Sequence, residues 1–164
     1  MSRVGRTHAK VGETVRWFAR VPIYTQRLYR YSLMNHLEPR ETVEFLKKHP
    51  DALFIDVRCE MEYLFVGHPV GALHVPWNEG PDWEINPHFV GQVKRVAGAN
   101  HSRRPVVLIC RSGNRSVDAG EALEKAGFQL MYNVLHGFEG DLDDRHRRNW
   151  VNGWRQEGLP WEQC

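Results

Sequence analysis

Cys110 opens a run of seven residues, Cys110-Arg-Ser-Gly-Asn-Arg-Ser116, in which a thiol is followed by small polar side chains, a central glycine and two arginines. A thiol attacks only as its thiolate, and an unperturbed cysteine ionises near a pH of about 8.5. Two features of this run favour the anion. Backbone N–H groups of a tight loop, and of a helix that follows it, can point at the sulfur. Arg111 and Arg115 add positive charge that no accessible pH removes. Gly113 lets the loop take backbone angles that a side chain forbids. The same cradle, formed by Arg111, Ser112, Gly113, Asn114, Arg115 and Ser116, suits an anionic substrate. A cysteine of an ordinary core needs no such loop behind it.

The elements that must position this loop are legible on either side of it. Pro105-Val-Val-Leu-Ile109 is an unbroken apolar run, β-branched and too short for a helix, which predicts a buried parallel strand. Ser116 to Ala126 has helical spacing, with Val117, Ala122, Leu123 and Ala126 on one side and Gly127 as the stop. Cys110 therefore falls between the end of a strand and the start of a helix, where α/β sheets bind ligands.

Upstream, Pro39 suits a first helical turn, and Val43, Phe45 and Leu46 give an apolar face before Pro50. Ala52 to Val57 reads as a short strand, Glu62 to Phe65 as a helical turn, and Leu73–Val75 as a strand between Gly/Pro turns. Asn86 and Pro87 look like the start of a helix whose buried face is Phe89, Val90, Val93, Val96 and Ala97. Beyond the loop, Gln129 to Val134 is the next strand and His136 to Gly140 a turn. Asp141 to Arg148 is a charged, solvated excursion. Trp150 to Glu157 reads as a closing helix capped by Gly158, with Trp150 and Trp154 on one face against the sheet. Strands alternating with helices imply a parallel sheet with helices on both faces.

A second group of residues accompanies the cysteine loop: Asp56-Val-Arg58, Glu62-Tyr63, Gly67-His68 and Gly71-Ala-Leu-His-Val-Pro76. Together with Cys110-Arg-Ser-Gly-Asn-Arg-Ser116, about fifty residues further on and in the same order, it resembles the two signatures of the rhodanese family of sulfurtransferases. The resemblance runs from about Leu37 to Trp161, including a closing Gly-Leu-Pro-Trp like that of small bacterial single-domain members. It implies the rhodanese-like fold, an α/β architecture with a parallel central sheet of about five strands. Loop length supports the assignment. Tyrosine phosphatases place an arginine after five intervening residues, but that position here is Ser116, whereas Arg115 follows after four. Asp56, Glu62 and His68 are expected to pair internally and fix loops, because unpaired charge at a buried strand end is costly. Arg58 lies at the sheet edge that carries Cys110 and is expected beside the substrate.

The 164 residues and 41% hydrophobic content suit one domain with a real core. Residues 1–33 form a basic leader; the first 30 carry seven arginines and lysines against Glu13 alone, leaving the rest of the chain mildly acidic. The leader is read as disordered, as a targeting segment, or as an extension upstream of a natural start at Met34, and residues 34–164 as the rhodanese-like domain. Three scattered cysteines and nine histidines without paired spacing give neither a disulfide framework nor a metal site, and no cofactor is implied. No run approaches the roughly 20 apolar residues of a membrane span. A cytoplasmic location is expected, with organelle targeting by the leader as the alternative.

The resemblance implies a catalytic Cys110 that takes a sulfane sulfur from an anionic small molecule such as thiosulfate. As a persulfide, it would pass that sulfur to a thiol, to cyanide or to a protein acceptor. Arg111 and Arg115 would hold the donor's charged end, and Ser112, Ser116 and the loop amides would steady the persulfide. No nucleic-acid partner is expected. Two other readings compete: phosphatase or arsenate chemistry on the same fold, and a non-catalytic module that presents the cradle to an anion or partner. Cys59 is weighed as a resolving thiol, and Cys164 as free.

Overall fold

The computed structural model of the chain describes residues 34–164. The expectations for residues 1–33 fall outside them. Five parallel strands build the central sheet: β1 (Asn35–Leu37), β2 (Leu53–Asp56), β4 (Leu73–His74), β7 (Val106–Ile109) and β8 (Met131–Val134), in the spatial order β1-β8-β7-β2-β4. The two central strands, β7 and β2, are buried at every residue, as continuous apolar runs require when both faces are covered. Their register pairs Leu53 with Val106 and Asp56 with Ile109, so both strands end at the same edge.

Alternation along the strands separates two cores. On one face, Leu53, Ile55, Val57, Val106, Leu108, Cys110 and Met131 pack with Phe89, Val93 and Ala97 of α2 (Phe89–Ala97) and with Ala119 and Leu123 of α3 (Arg115–Lys125). On the other, Phe54, Val107, Ile109 and Val134 meet Val43, Phe45 and Leu46 of α1 (Pro39–Lys48), together with Phe138 and Trp154. Helix α1 starts as the sequence indicates, with Pro39 in its first turn and a reciprocal cap in which the Glu38 N–H donates to Glu41 Oε2 at 2.9 Å.

Short pairings close the edges. β3 (His68–Pro69) runs antiparallel to β9 (Trp161–Glu162), which ties the chain end to the first motif, and β5 (Asn78–Glu79) forms a hairpin with β6 (Glu84–Ile85). Residues Glu62–Val66 wind as a single wide helical turn.

Three expectations are corrected. Val96 is 40% exposed rather than part of the buried face of α2. On α3 the buried side is Ser116, Val117, Ala119, Gly120 and Leu123, against whose core the half-buried Ala126 also packs, while Ala122 is only half-buried. Trp150 to Glu157 is a chain of turns and not a helix. Gly153 takes φ 99° where its backbone lies against Gly140, and no side chain fits that approach. The two tryptophans consequently part: Trp154 is buried beside Phe54, at 5.3 Å between ring centroids, while Trp150 is exposed with the Arg147 guanidinium 4.4 Å above its ring.

Candidate active site

The first motif folds into a knot that supports the sheet edge. The Asp56 carboxylate, fully buried at the end of β2, accepts from the Arg58 backbone N–H at 3.0 Å and from Arg58 Nη2 at 2.6 Å. Arg58 Nη2 also donates to the Gly67 carbonyl, and the guanidinium lies 4.2 Å from the centre of the Phe138 ring. Tyr63 stacks between His68, at 3.7 Å, and His74, at 4.5 Å, and its hydroxyl donates to the Ala72 carbonyl. His68 Nδ1 meets the Tyr63 carbonyl at 3.0 Å. The internal pairing expected of Asp56 and His68 is what this geometry contains. Arg58, expected beside the substrate, has no exposed surface in this structure and pairs with Asp56, while its Nη1 makes no hydrogen bond among the described residues.

Cys110 lies one residue past β7, 1% exposed, at the head of a loop that leads directly into α3. The Gly113 N–H donates to Cys110 Sγ at 3.1 Å, and Ser116 Oγ lies 3.2 Å from the same sulfur. Gly113 holds φ 91°, and its Cα faces the His136 N–H and the Val134 carbonyl so closely that a side chain would press on backbone. A second backbone segment clamps the loop from below. The Phe138 N–H donates to the Cys110 carbonyl at 2.8 Å and the Glu139 N–H to the Arg111 carbonyl at 2.9 Å. A Cβ on Gly137 would run into the Cys110 carbonyl and the Ser112 N–H, so this turn is the floor of the cysteine loop. The sequence marks the turn but not that function.

The two loop arginines are not bare charges. Arg115 Nη1 and Nη2 reach Glu62 Oε2 and Oε1 at 2.7 Å each, a bidentate pair joining the first motif to the loop. Burial pushes the Glu62 carboxyl up, but the hydrogen bonds and charge of Arg115 outweigh it and hold the pKa at about 2. Arg111, 48% exposed, meets Glu139 Oε1 at 3.4 Å. Trp83, on the turn between β5 and β6, lies 5.8 Å from the Arg115 guanidinium. Asn114 is exposed and Ser112 half-buried. Cys59 is buried, and burial, together with the nearby Glu62 charge, pushes its thiol pKa up, which disfavours the thiolate a resolving cysteine needs. Cys164 is exposed and free. Among the described residues no group of histidines, cysteines and carboxylates could hold a metal, and no helix is long and apolar enough to cross a membrane.

Glu62 makes stability pH-dependent with a definite sign. Its folded pKa of about 2 lies below the ordinary 4.5, so the pair's contribution is complete above pH 4.5 and is lost as pH falls toward 2. Urea unfolding across that range should show a fall in stability that is smaller in Glu62→Gln. An identical acid slope in the two proteins would remove the pair from this role.

Sheet order, strand-end cysteine and glycine-centred loop are those of a rhodanese-like domain. The family model for that domain matches residues 39–143, and the chain belongs to the rhodanese-like family. It is 38% identical to the crystal structure of Rv0390 from M. tuberculosis, with a TM-score of 0.71, covering 81% of this chain and all of that one. An uncharacterized protein of Rickettsia conorii is 30% identical over 124 residues, 73% of this chain and 89% of the relative. Thiosulfate sulfurtransferase 16, chloroplastic, of Arabidopsis thaliana is 30% identical over 109 residues, 65% of this chain and 77% of the relative.

Proposed function

We propose that this protein is a sulfurtransferase that carries sulfur as a persulfide on Cys110. The observation that carries the reading is the sulfur cradle: a buried Sγ with the Gly113 N–H at 3.1 Å and the Ser116 hydroxyl at 3.2 Å, at the N-terminus of α3. The Gly113 N–H is a donor fixed at the sulfur, and such a donor stabilises the anion without reorganising during the reaction. A thiosulfate sulfurtransferase among the relatives supports the same donor class.

In the first half-reaction the Cys110 thiolate attacks the sulfane sulfur of thiosulfate. An S–S bond forms to Cys110 as the sulfur–sulfur bond of the donor breaks, and sulfite leaves with the electron pair. In the second, cyanide or a thiolate attacks the outer sulfur of the persulfide, and the Cys110 thiolate is the leaving group. Charge therefore develops on or leaves Sγ in both steps, and the same cradle serves both. Arg111, 48% exposed against 20% for Arg115, is the more open of the two to the donor's anionic end. Arg115, locked to Glu62, holds the loop's outer wall. Because both arginines face carboxylates, the loop amides and the α3 terminus carry a larger share of anion binding than the arginine count implies.

The covalent intermediate predicts ping-pong kinetics, with parallel double-reciprocal lines when thiosulfate and cyanide are varied together. Intersecting lines would contradict the persulfide route. Hydrolysis of a phosphotyrosine analogue would instead favour phosphatase chemistry.

A further inference from the structure

We infer that Arg148 is a second donor-binding residue, which with Arg111 forms a subsite beside Glu139 for the anionic end of the sulfur donor. Its service to a sulfur donor rests on the sulfur-transfer reading; its preference for an anion does not.

Backbone hydrogen bonds bring the charged excursion to the cysteine loop. The Glu139 N–H donates to the Arg111 carbonyl at 2.9 Å, and the Glu139 carbonyl accepts from the Asn149 N–H at 2.8 Å. Arg148 thus sits next to a residue bonded to the floor of the loop. Within the run Arg145-His-Arg-Arg148, whose charge marks it as solvated, Arg148 alone is half-buried. Its neighbour Arg147 is paired with Asp143 at 2.8 Å. Arg148 has no ion pair among the described residues, and its one hydrogen bond there runs from Nη1 to the Gly140 carbonyl. Nε is buried without an acceptor. The guanidinium edge that carries Nε and Nη2 is therefore unused, and that edge can pair with two oxygens of an oxyanion.

The charges around Arg148 place this edge at the mouth of the site. Burial, and then the charge of Arg111, push the Arg148 pKa down, while Glu139, Asp141 and Glu62 push it up. Three of those groups frame the opening above Cys110. Glu62 is spent on Arg115 at 2.7 Å. Asp141 accepts from Asn152 Nδ2 at 2.9 Å, and its side chain is 55% exposed, so water screens it. Glu139, only 11% exposed, is the carboxylate left between Arg111 and Arg148. Two arginines that cannot shed their charge against one carboxylate leave a positive surplus at the opening. Thiosulfate must bring its sulfane sulfur to Cys110 while its oxygens stay outward, and those oxygens meet Arg111 and the free edge of Arg148.

The test compares alkylation of Cys110 by iodoacetate, an anion, with alkylation by neutral iodoacetamide, each located by mass spectrometry. Both reagents meet the same thiolate, so the ratio of the two rates cancels changes in its ionisation or access. Arg148→Gln should lower the iodoacetate-to-iodoacetamide ratio about fivefold, less than a fully buried charged hydrogen bond would give because the opening is partly solvated. The thiosulfate concentration that half-saturates sulfur loading should rise by a similar factor, with the saturated loading rate unchanged. Glu139→Gln removes the carboxylate between the arginines and should raise the ratio. An R148Q ratio equal to that of the natural protein, as expected of an arginine that only braces the Gly140 carbonyl, would overturn the subsite. An E139Q ratio that stays level or falls would do so too, and decides the matter should R148Q not fold. Ratios that follow the expected pattern while thiosulfate loads no sulfur would keep the anion subsite and remove the sulfurtransferase reading. Loading with ratios that never move would do the reverse.

Discussion

Cys110→Ser should fold, melt close to the natural protein, and convert no thiosulfate and cyanide to thiocyanate above background. The substitution is nearly isosteric at a position 1% exposed, and the Gly113 N–H and the Ser116 hydroxyl that now point at sulfur can serve an oxygen equally well. What disappears is the chemistry. An alcohol does not ionise near neutral pH, whereas a thiol is a strong nucleophile once ionised and its persulfide exchanges readily. No neighbouring group can substitute for it. Cys59 is buried and its ionisation is disfavoured, and Cys164 is outside the cradle at the chain end. Circular dichroism and a thermal melt establish folding, and thiocyanate formation reads the activity. Turnover persisting in C110S would move the chemistry to another residue.

Arg58→Met should be the most destabilising single change in the first motif, by about 3–5 kcal/mol, because it strands the Asp56 carboxylate with no exposed surface. The loss also removes the Nη2 bond to the Gly67 carbonyl and the stacking on Phe138, so the turn that receives β9 loosens. Set against a usual total of about 5–15 kcal/mol, that is enough to deplete the folded protein. The double variant D56N/R58M supplies the control. With the charge removed from both partners the unpaired anion is gone, and urea unfolding should return a large part of the lost stability. A single variant of natural stability would mean that the pair is dispensable. Activity loss in R58M that survives in a stable double variant would return Arg58 to the substrate.

Much of this was legible in the sequence because burial on two faces leaves an unmistakable trace. Val106–Ile109 could only be an inner strand, and the break from that run into Cys110-Arg-Ser-Gly-Asn placed the loop at the edge where the sheet meets α3. Pairing of Asp56 and Glu62 followed from the cost of buried charge, but the partner of Glu62 did not, since Arg115 lies 53 residues away. The pairing of Arg58 with Asp56 was hidden for a related reason: a strand-end position gives the edge but not the direction of the side chain. The Trp150/Trp154 spacing suggested a helix, and the local contacts of Gly153 with Gly140 overrode it. Asn133 carried a readable sign, a lone amide inside the apolar strand Met131–Val134, because a buried amide must find partners. Which partners those are depends on the register of three strands, and that is a property of the fold.

The central claim is that Cys110 itself holds the transferred sulfur. Intact-protein mass spectrometry after incubation with thiosulfate and removal of excess donor tests it most directly. The account predicts a gain of one sulfur atom, mapped by peptide analysis to Cys110, absent in C110S and reversed by cyanide with release of thiocyanate. A protein that turns over thiosulfate while its mass never changes, or whose added sulfur maps to Cys59 or Cys164, would contradict it.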